Sequence, residues 1–376
     1  MYKIRTSGYG PLLASCYTVR QPLFISGPPG VGKSAICRQV FREIASNENK
    51  EFREWSDLSI DQKSECIANP DKYWIFADMR TSQMDNTSLT GIPNMAKTDL
   101  LENIPYSWVV YFTQPMAHGC IFFDELNLAC ALVQSITYSV IHDRVISDRR
   151  LGENVYVFAA GNRSQDKAHT FDMPLPLRDR FAEFEIEIDV EHWIKWAQHS
   201  KLNPHIIAFI NWKPANLYNA DKVKSDKPAT PRGVERASRL LADLDITDDK
   251  DDKAHMLVSI SCGESFATEF QAYAKVHSQL DWTKIIKDPS KIQEMSLDKQ
   301  YAISAGVADQ FKRKAGDIKF QEKLLDVTDA QREDFAVFSY RTISAADRDG
   351  FRKVIDKLNR RGIFANKYAR YLLENV

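Results

Sequence analysis

Apolar residues in the first half of the chain gather into short runs separated by helical patterns. Residues 22–26 (PLFIS), 73–77 (YWIFA), 120–123 (CIFF) and 155–160 (VYVFAA) are apolar at nearly every position. That is the pattern of strands buried on both faces of a parallel sheet. A fifth run over 184–190 alternates Phe184, Ile186, Ile188 and Val190 with Glu185, Glu187 and Asp189, so one of its faces is expected to meet water. Residues 35–46 read as a helix burying Ile36, Val40, Phe41 and Ile44, and 129–142 as another. A short helix is expected within 3–20 on Leu12, Leu13, Cys16 and Val19, and polar helical covering for the sheet over 47–70. The stretch 81–119 is too long for a simple connection and is broken by Gly91-Ile92-Pro93 and Pro105. Something is inserted there, and its run Trp108-Val109-Val110-Tyr111-Phe112 would suit a hairpin.

Beyond residue 190 the alternation gives way to helices alone, first at 191–199 and again from Pro204. The pattern therefore predicts two domains, 1–190 and 191–376, and 376 residues suffice for two cores. In the second, Thr230-Pro231-Arg232 is a helix start, with Thr as N-cap, Pro at the first position and an apolar face of Val234, Ala237, Leu241 and Leu244.

Charge changes this picture little. Fifty basic residues against 51 acidic ones leave a net charge of −1, which announces neither a nucleic-acid nor a membrane partner. Lys312-Arg313-Lys314 and Arg360-Arg361 read as solvated faces, with nucleic-acid contact possible but not favoured. No apolar stretch approaches the roughly 20 residues of a membrane span, and MYKIRTSGYG lacks a signal-peptide core, so a cytoplasmic protein is expected. The six cysteines are scattered and the eight histidines show no metal-ligand spacing.

The chemistry is concentrated elsewhere. After the first apolar run comes GPPGVGKS, which is Gly27, Pro28, Pro29, Gly30, Val31, Gly32, Lys33 and Ser34, with Ala35 following in the helix. The spacing G-x-x-x-x-G-K-[ST] is that of a P-loop: backbone N–H groups curl round a phosphate, Lys33 reaches the β and γ phosphates, and Ser34 offers a hydroxyl to Mg²⁺. About ninety residues on, the run 120–123 delivers Asp124 and Glu125 to a strand end, as a Walker B does. Asp124 would hold Mg²⁺ and Glu125 would polarise the attacking water. The run 155–160 ends in Gly161-Asn162-Arg163, placing an amide where it could bond the water or the γ phosphate. Arg178 and Arg180 precede the last strand, and either could reach a neighbouring subunit's nucleotide; a surface salt bridge suits Arg178 better. Arg232, in the first turn of its helix, would be held at a fixed angle toward the nucleotide, although taken alone it reads as an ordinary surface arginine. Without an N-K-x-D motif, guanine recognition is not expected; Asn366-Lys367 is followed by Tyr-Ala.

In this order the motifs resemble those of the AAA+ ATPases, and among them the MoxR-like family. The resemblance is carried by GPPGVGKS, DMRTSQMDNTSLTGIPNM, FFDELNLA, AAGNR, LPLRDRF and TPRGVERASRLL, over roughly residues 10 to 310. It implies an α/β P-loop sandwich with a parallel five-stranded sheet and an all-α lid. Asn162 would be sensor 1, Arg180 the trans arginine finger, Arg232 sensor 2, 81–119 a helix-2 insert facing a ring's pore, and 143–154 the hairpin before sensor 1. It further implies ATP and Mg²⁺, a homo-oligomeric ring expected to be a hexamer, and a protein substrate or von Willebrand factor A domain partner. AAGNR departs from the family in lacking a proline after the Asn, and the tail beyond about 310 matches less clearly.

Overall fold

The computed structural model describes residues 2–96, 102–163, 173, 175–220, 227–242, 244, 246 and 252–360. The chain divides into two compact units, Met1–Ile188 and Asp189–Val376.

In chain order the first unit runs β1 (Tyr2–Arg5), α1 (Thr6–Thr18), β2 (Leu23–Ser26), α2 (Lys33–Asn47), β3 (Glu51–Glu54), α3 (Ile60–Ala68) and β4 (Tyr73–Arg80). There follow α4 (Asn86–Thr90), β5 (Ile92–Pro93), β6 (Asn103–Ile104), α5 (Ser107–Phe112), β7 (His118–Asp124) and α6 (Ala131–His142). The unit closes with β8 (Val145–Ile146), β9 (Arg149–Arg150), β10 (Val155–Gly161), α7 (Leu175–Arg178) and β11 (Ala182–Glu187). Seven strands form one parallel sheet in the order β1-β11-β2-β10-β7-β4-β3.

The apolar runs fill both faces of this sheet because successive side chains point to opposite sides. Trp74 and Phe76 of β4, Cys120 and Phe122 of β7, and Tyr156 and Phe158 of β10 pack with Tyr9, Leu13, Tyr17, Cys37 and Phe41 of α1 and α2. Ile75, Ile121, Phe123, Val155 and Val157 line the other face with Trp55, Tyr111, Phe112, Val133 and Val140.

The five expected strands are therefore present but the sheet has seven, since β1 and β3 add an edge on each side. Neither has an apolar run: β3 is EFRE, held by its ladder to β4 and by Arg53, which pairs with Glu51 and Glu65. Within 3–20 the buried stripe is Tyr9, Leu13 and Tyr17, while Val19 is exposed. Residues 47–70 hold β3 as well as α3. The run at 108–112 is helical, burying Trp108, Val109, Tyr111 and Phe112 at i, i+1, i+3 and i+4, a spacing that short apolar runs share with strands. The insert's hairpin is instead β5 with β6. The last strand stops at Glu187 because Asp189 caps the next helix, its carboxylate accepting from the His192 amide at 3.0 Å.

The second unit is helical throughout its described residues: α8 (Val190–His199), α9 (Pro204–Trp212), α10 (Pro231–Leu240), α11 (Lys253–Cys262), α12 (Glu264–Ser278), α13 (Trp282–Lys287), α14 (Leu297–Arg313), α15 (Ile318–Asp329), α16 (Glu333–Ala346) and α17 (Arg348–Arg360). Ile303, Val307 and Phe311 of α14 centre a core with Leu324, Tyr340 and Phe351. No helix among the described residues is long and apolar enough to cross a membrane.

Candidate active site

The sheet order sets the site. β2, β10 and β7 are adjacent and parallel, so the segments leaving their C-terminal ends emerge side by side. These are the P-loop, Asn162 and the Asp124-Glu125 pair. Such an edge is where open α/β sheets hold ligands.

After Ser26 the chain turns through Gly30 at φ 73° and Gly32 at φ 91°, left-handed conformations that glycine adopts without a Cβ penalty. Gly32 is the N-cap of α2, leaving the first amides of the helix available to an anion. Lys33 folds back on the loop, donating from Nζ to the carbonyls of Gly27 at 2.7 Å and Pro28 at 3.2 Å. One residue on, Ser34 Oγ donates to Asp124 Oδ2 at 3.1 Å. A hydroxyl and a carboxylate that converge in this way are hard-oxygen donors suited to Mg²⁺, which takes one or two protein oxygens and completes its shell from phosphates and water.

Asp124 and Glu125 are fixed from several sides. Asp124 Oδ1 accepts from the Glu125 amide at 2.9 Å, and Thr81 Oγ1 donates to the Asp124 carbonyl at 2.8 Å. Glu125 adopts φ 57° and ψ 31°, which costs a residue with a Cβ about 1–2 kcal/mol. Its Oε2 accepts from Ser82 Oγ. The acid that would activate water is therefore tethered to the first turn of the insert.

Asn162 is placed through its backbone. Asn127, two residues past Glu125, donates from Nδ2 to the Asn162 carbonyl at 2.7 Å and accepts at Oδ1 from the Asn162 amide at 3.0 Å. Gly161 makes room for this clamp, because a Cβ there would lie 2.5 Å from Asn127 Oδ1. One strand further out, Arg38 of α2 joins Glu54 at 2.7 Å and Asp78 at 2.6 Å. Burial, and next to it the charge of Asp124, push the Asp78 carboxyl up.

The two arginines before β11 differ. Arg178 is committed to Glu183, with Nε at 3.1 Å and Nη2 at 2.9 Å from its carboxylate oxygens. Arg180 is exposed and makes no side-chain hydrogen bond or ion pair among the described residues, while Phe181 anchors the segment against Phe24 with ring centroids 5.7 Å apart. In the second unit Thr230 caps α10, accepting from the Gly233 amide at 3.1 Å, and leaves Arg232 exposed in the first turn. The structure thus brings together Lys33, Ser34, Asp124, Glu125 and the Asn162 backbone, with Arg180 on the same unit. Asn127, Ser82 and the Arg38–Asp78 pair were not legible as site residues, since each acts through a partner distant in the chain.

The family model of the ATPase family associated with various cellular activities (AAA) matches residues 23–190. No curated protein matches the sequence. Among solved structures, the Thermotoga maritima RuvB Holliday junction branch migration motor is 16% identical, covering 76% of this chain and 75% of that one, with a TM-score of 0.29. NtrX from Brucella abortus in complex with ADP is 14% identical over 96% of this chain and 69% of that one, with a TM-score of 0.37. NtrX in complex with ATP is 12% identical over 87% and 70%, with a TM-score of 0.34. The match runs from the strand before the P-loop to the end of the sheet, so over residues 23–190 the chain is similar to the AAA family.

Proposed function

We propose that the chain is a Mg²⁺-dependent ATP hydrolase of the AAA+ type, MoxR-like, which assembles with copies of itself into a ring and uses hydrolysis to remodel a partner protein. The observation that carries the reading is the convergence of Lys33, Ser34, Asp124, Glu125 and Asn162 on three adjacent strand ends. Lys33 would exchange the Gly27 and Pro28 carbonyls for the β and γ phosphates of ATP. Ser34 and Asp124 would hold Mg²⁺, which supplies neutralisation of phosphate charge when bound. Glu125 would orient a water in line with the γ phosphorus and take its proton as the bond to the ADP oxygen breaks. Asn162 would fix that water or a γ oxygen.

Arg180, exposed and unpaired among the described residues, is the group we assign to a neighbouring copy's γ phosphate. That assignment makes turnover depend on assembly, and we take the ring to be a hexamer. A von Willebrand factor A domain protein is the partner class that the MoxR resemblance suggests, and a cytoplasmic location fits such a partner. We assign 1–190 to the nucleotide-binding core and 191–376 to the lid and its helical extension, from which Arg232 would act.

The test is steady-state ATP hydrolysis against protein concentration, with Glu125→Gln as the blank. Specific activity that rises with concentration supports the ring. Activity equal in Glu125→Gln and the unaltered chain would remove the assignment of Glu125.

A further inference from the structure

Asp78 is a buried carboxylate beside the site for which the hydrolysis scheme has no use. On β4, Trp74 and Phe76 face the same core as Cys120 and Phe122 of β7. Asp78 and Asp124 come next in those two series, on adjacent paired strands, and so rise on the face that α2 covers. α2 meets them with two side chains four residues apart: Ser34 bonds Asp124 at 3.1 Å, and Arg38 bonds Asp78 Oδ2 at 2.6 Å. The side chain of Asp78 is only 11% exposed. Its second oxygen, Oδ1, is buried and has no hydrogen-bond partner among the described residues.

That orphan is the informative atom. A buried carboxylate oxygen without a donor is unfavourable, and native structures keep such atoms where strain, a catalytic role, or a water or ion accounts for them. Arg38 bonds Oδ2 and not Oδ1, and its Nε is engaged by Glu54 at 2.7 Å. Glu54 is itself shared with Arg42 at 3.1 Å. Next to Asp124, the donor that would fit is a water carried by a divalent cation, since Mg²⁺ dehydrates reluctantly and keeps several waters.

We infer that Asp78 is an outer-sphere residue of the Mg²⁺ site, accepting at Oδ1 a hydrogen bond from a water of the ion's shell while Arg38 holds Oδ2. The inference rests on the reading of Ser34 and Asp124 as Mg²⁺ ligands. Outer-sphere partners typically set metal affinity by 10–100-fold.

The experiment is Mn²⁺ binding to the ADP-loaded full chain, followed by electron paramagnetic resonance, with ADP affinity in EDTA measured in parallel. Asp78→Asn is expected to weaken Mn²⁺ binding about 10-fold while ADP affinity in EDTA stays within about twofold. Arg38→Gln, which breaks the same ion pair but keeps the carboxylate, should lose clearly less than Asp78→Asn. Where Asp78→Asn does not fold, Asp78→Glu keeps the charge but displaces the oxygen, and the same loss is expected. Unchanged Mn²⁺ affinity in the folded Asp78 variant overturns the inference, as do equal losses in Asp78→Asn and Arg38→Gln, which would make Asp78 an anchor for α2. If the unaltered chain binds neither ADP nor Mn²⁺, the hydrolase reading itself falls and takes this inference with it.

Discussion

Asn127 grips Asn162 by both of its backbone groups, donating to the carbonyl at 2.7 Å and accepting from the amide at 3.0 Å. One side chain on the segment after Asp124-Glu125 thereby sets the height at which Asn162 leaves the sheet. Two hydrogen bonds of this kind contribute about 1–3 kcal/mol together. Asn127→Ala is expected to lower kcat by about 10–100-fold, in line with that energy, and to leave ATP affinity nearly unchanged. A nucleotide titration beside a steady-state assay separates the two. Asn127→Asp should be no better, because a carboxylate cannot donate to the Asn162 carbonyl.

On the proposed reading, Glu125 and Lys33 should divide turnover from binding. Glu125→Gln keeps the shape and the reach to Ser82 but cannot take a proton, so turnover should fall by about 10²–10⁴-fold with ATP still bound. Lys33→Ala removes the cation that would meet the phosphates, and ATP binding itself should be lost. Equilibrium binding of a fluorescent ATP analogue, read for both variants, checks the pair.

Arg180 and Arg178 stand two residues apart and should behave oppositely. Arg178 bonds Glu183 through Nε and Nη2 and is 48% exposed, so Arg178→Ala should change stability by less than about 1 kcal/mol and activity little. Arg180→Ala should bind ATP normally yet hydrolyse about 10³-fold more slowly or worse, the scale of a lost arginine finger. Mixing Arg180→Ala with Glu125→Gln is the informative assay, because complementary sites form only between subunits of different kind. Recovery of turnover in the mixture supports an arginine supplied in trans.

The reach of the sequence follows from how far apart interacting residues lie. The strands at 73–77, 120–123 and 155–160 were legible because burial on both faces leaves an uninterrupted apolar run, and each delivers its motif within two residues. The edge strands were not, because β1 and β3 need fewer apolar residues and are specified by pairing with β11 and β4. The run at 108–112 was ambiguous for the reason that any five apolar residues are. Its helix is fixed by Tyr111, whose hydroxyl donates to the carbonyls of Tyr73 at 3.1 Å and His118 at 3.0 Å. Asn127 stood inside a quoted motif, yet its purpose lies in a partner 35 positions on.

Gly161 tests the clamp from the other side. A methyl group there would sit 2.5 Å from Asn127 Oδ1 and 2.7 Å from Phe24 Cζ, in a strand that is fully buried. Gly161→Ala is expected to destabilise the first unit by about 1–3 kcal/mol through overpacking. It should also lower kcat, since Asn127 must move. Urea denaturation gives the first quantity, and a loss of activity in protein that is still fully folded would isolate the second.

Acid should weaken the same sheet at the opposite end of β7. His118 begins that strand, with Nδ1 3.3 Å from Glu48 Oε2 and Nε2 3.2 Å from Asn154 Nδ2. Burial, then Lys50, hold its imidazole below the ordinary value of 6.5, outweighing the opposite pull of Glu48. In the unfolded chain the same ring titrates near the ordinary value, so at slightly acid pH the unfolded state binds more protons than the folded one. The stability contributed by the neutral ring is whole above the unfolded value and drains away as pH falls through it toward the lower folded one. Chemical denaturation at about pH 7.5 and about pH 5.5 should therefore show a loss at the lower pH that is smaller in His118→Gln. Carboxylates elsewhere contribute equally to both proteins, so the difference between the two losses reports His118 alone, and an equal loss in both would show that its ring stays outside the acid transition.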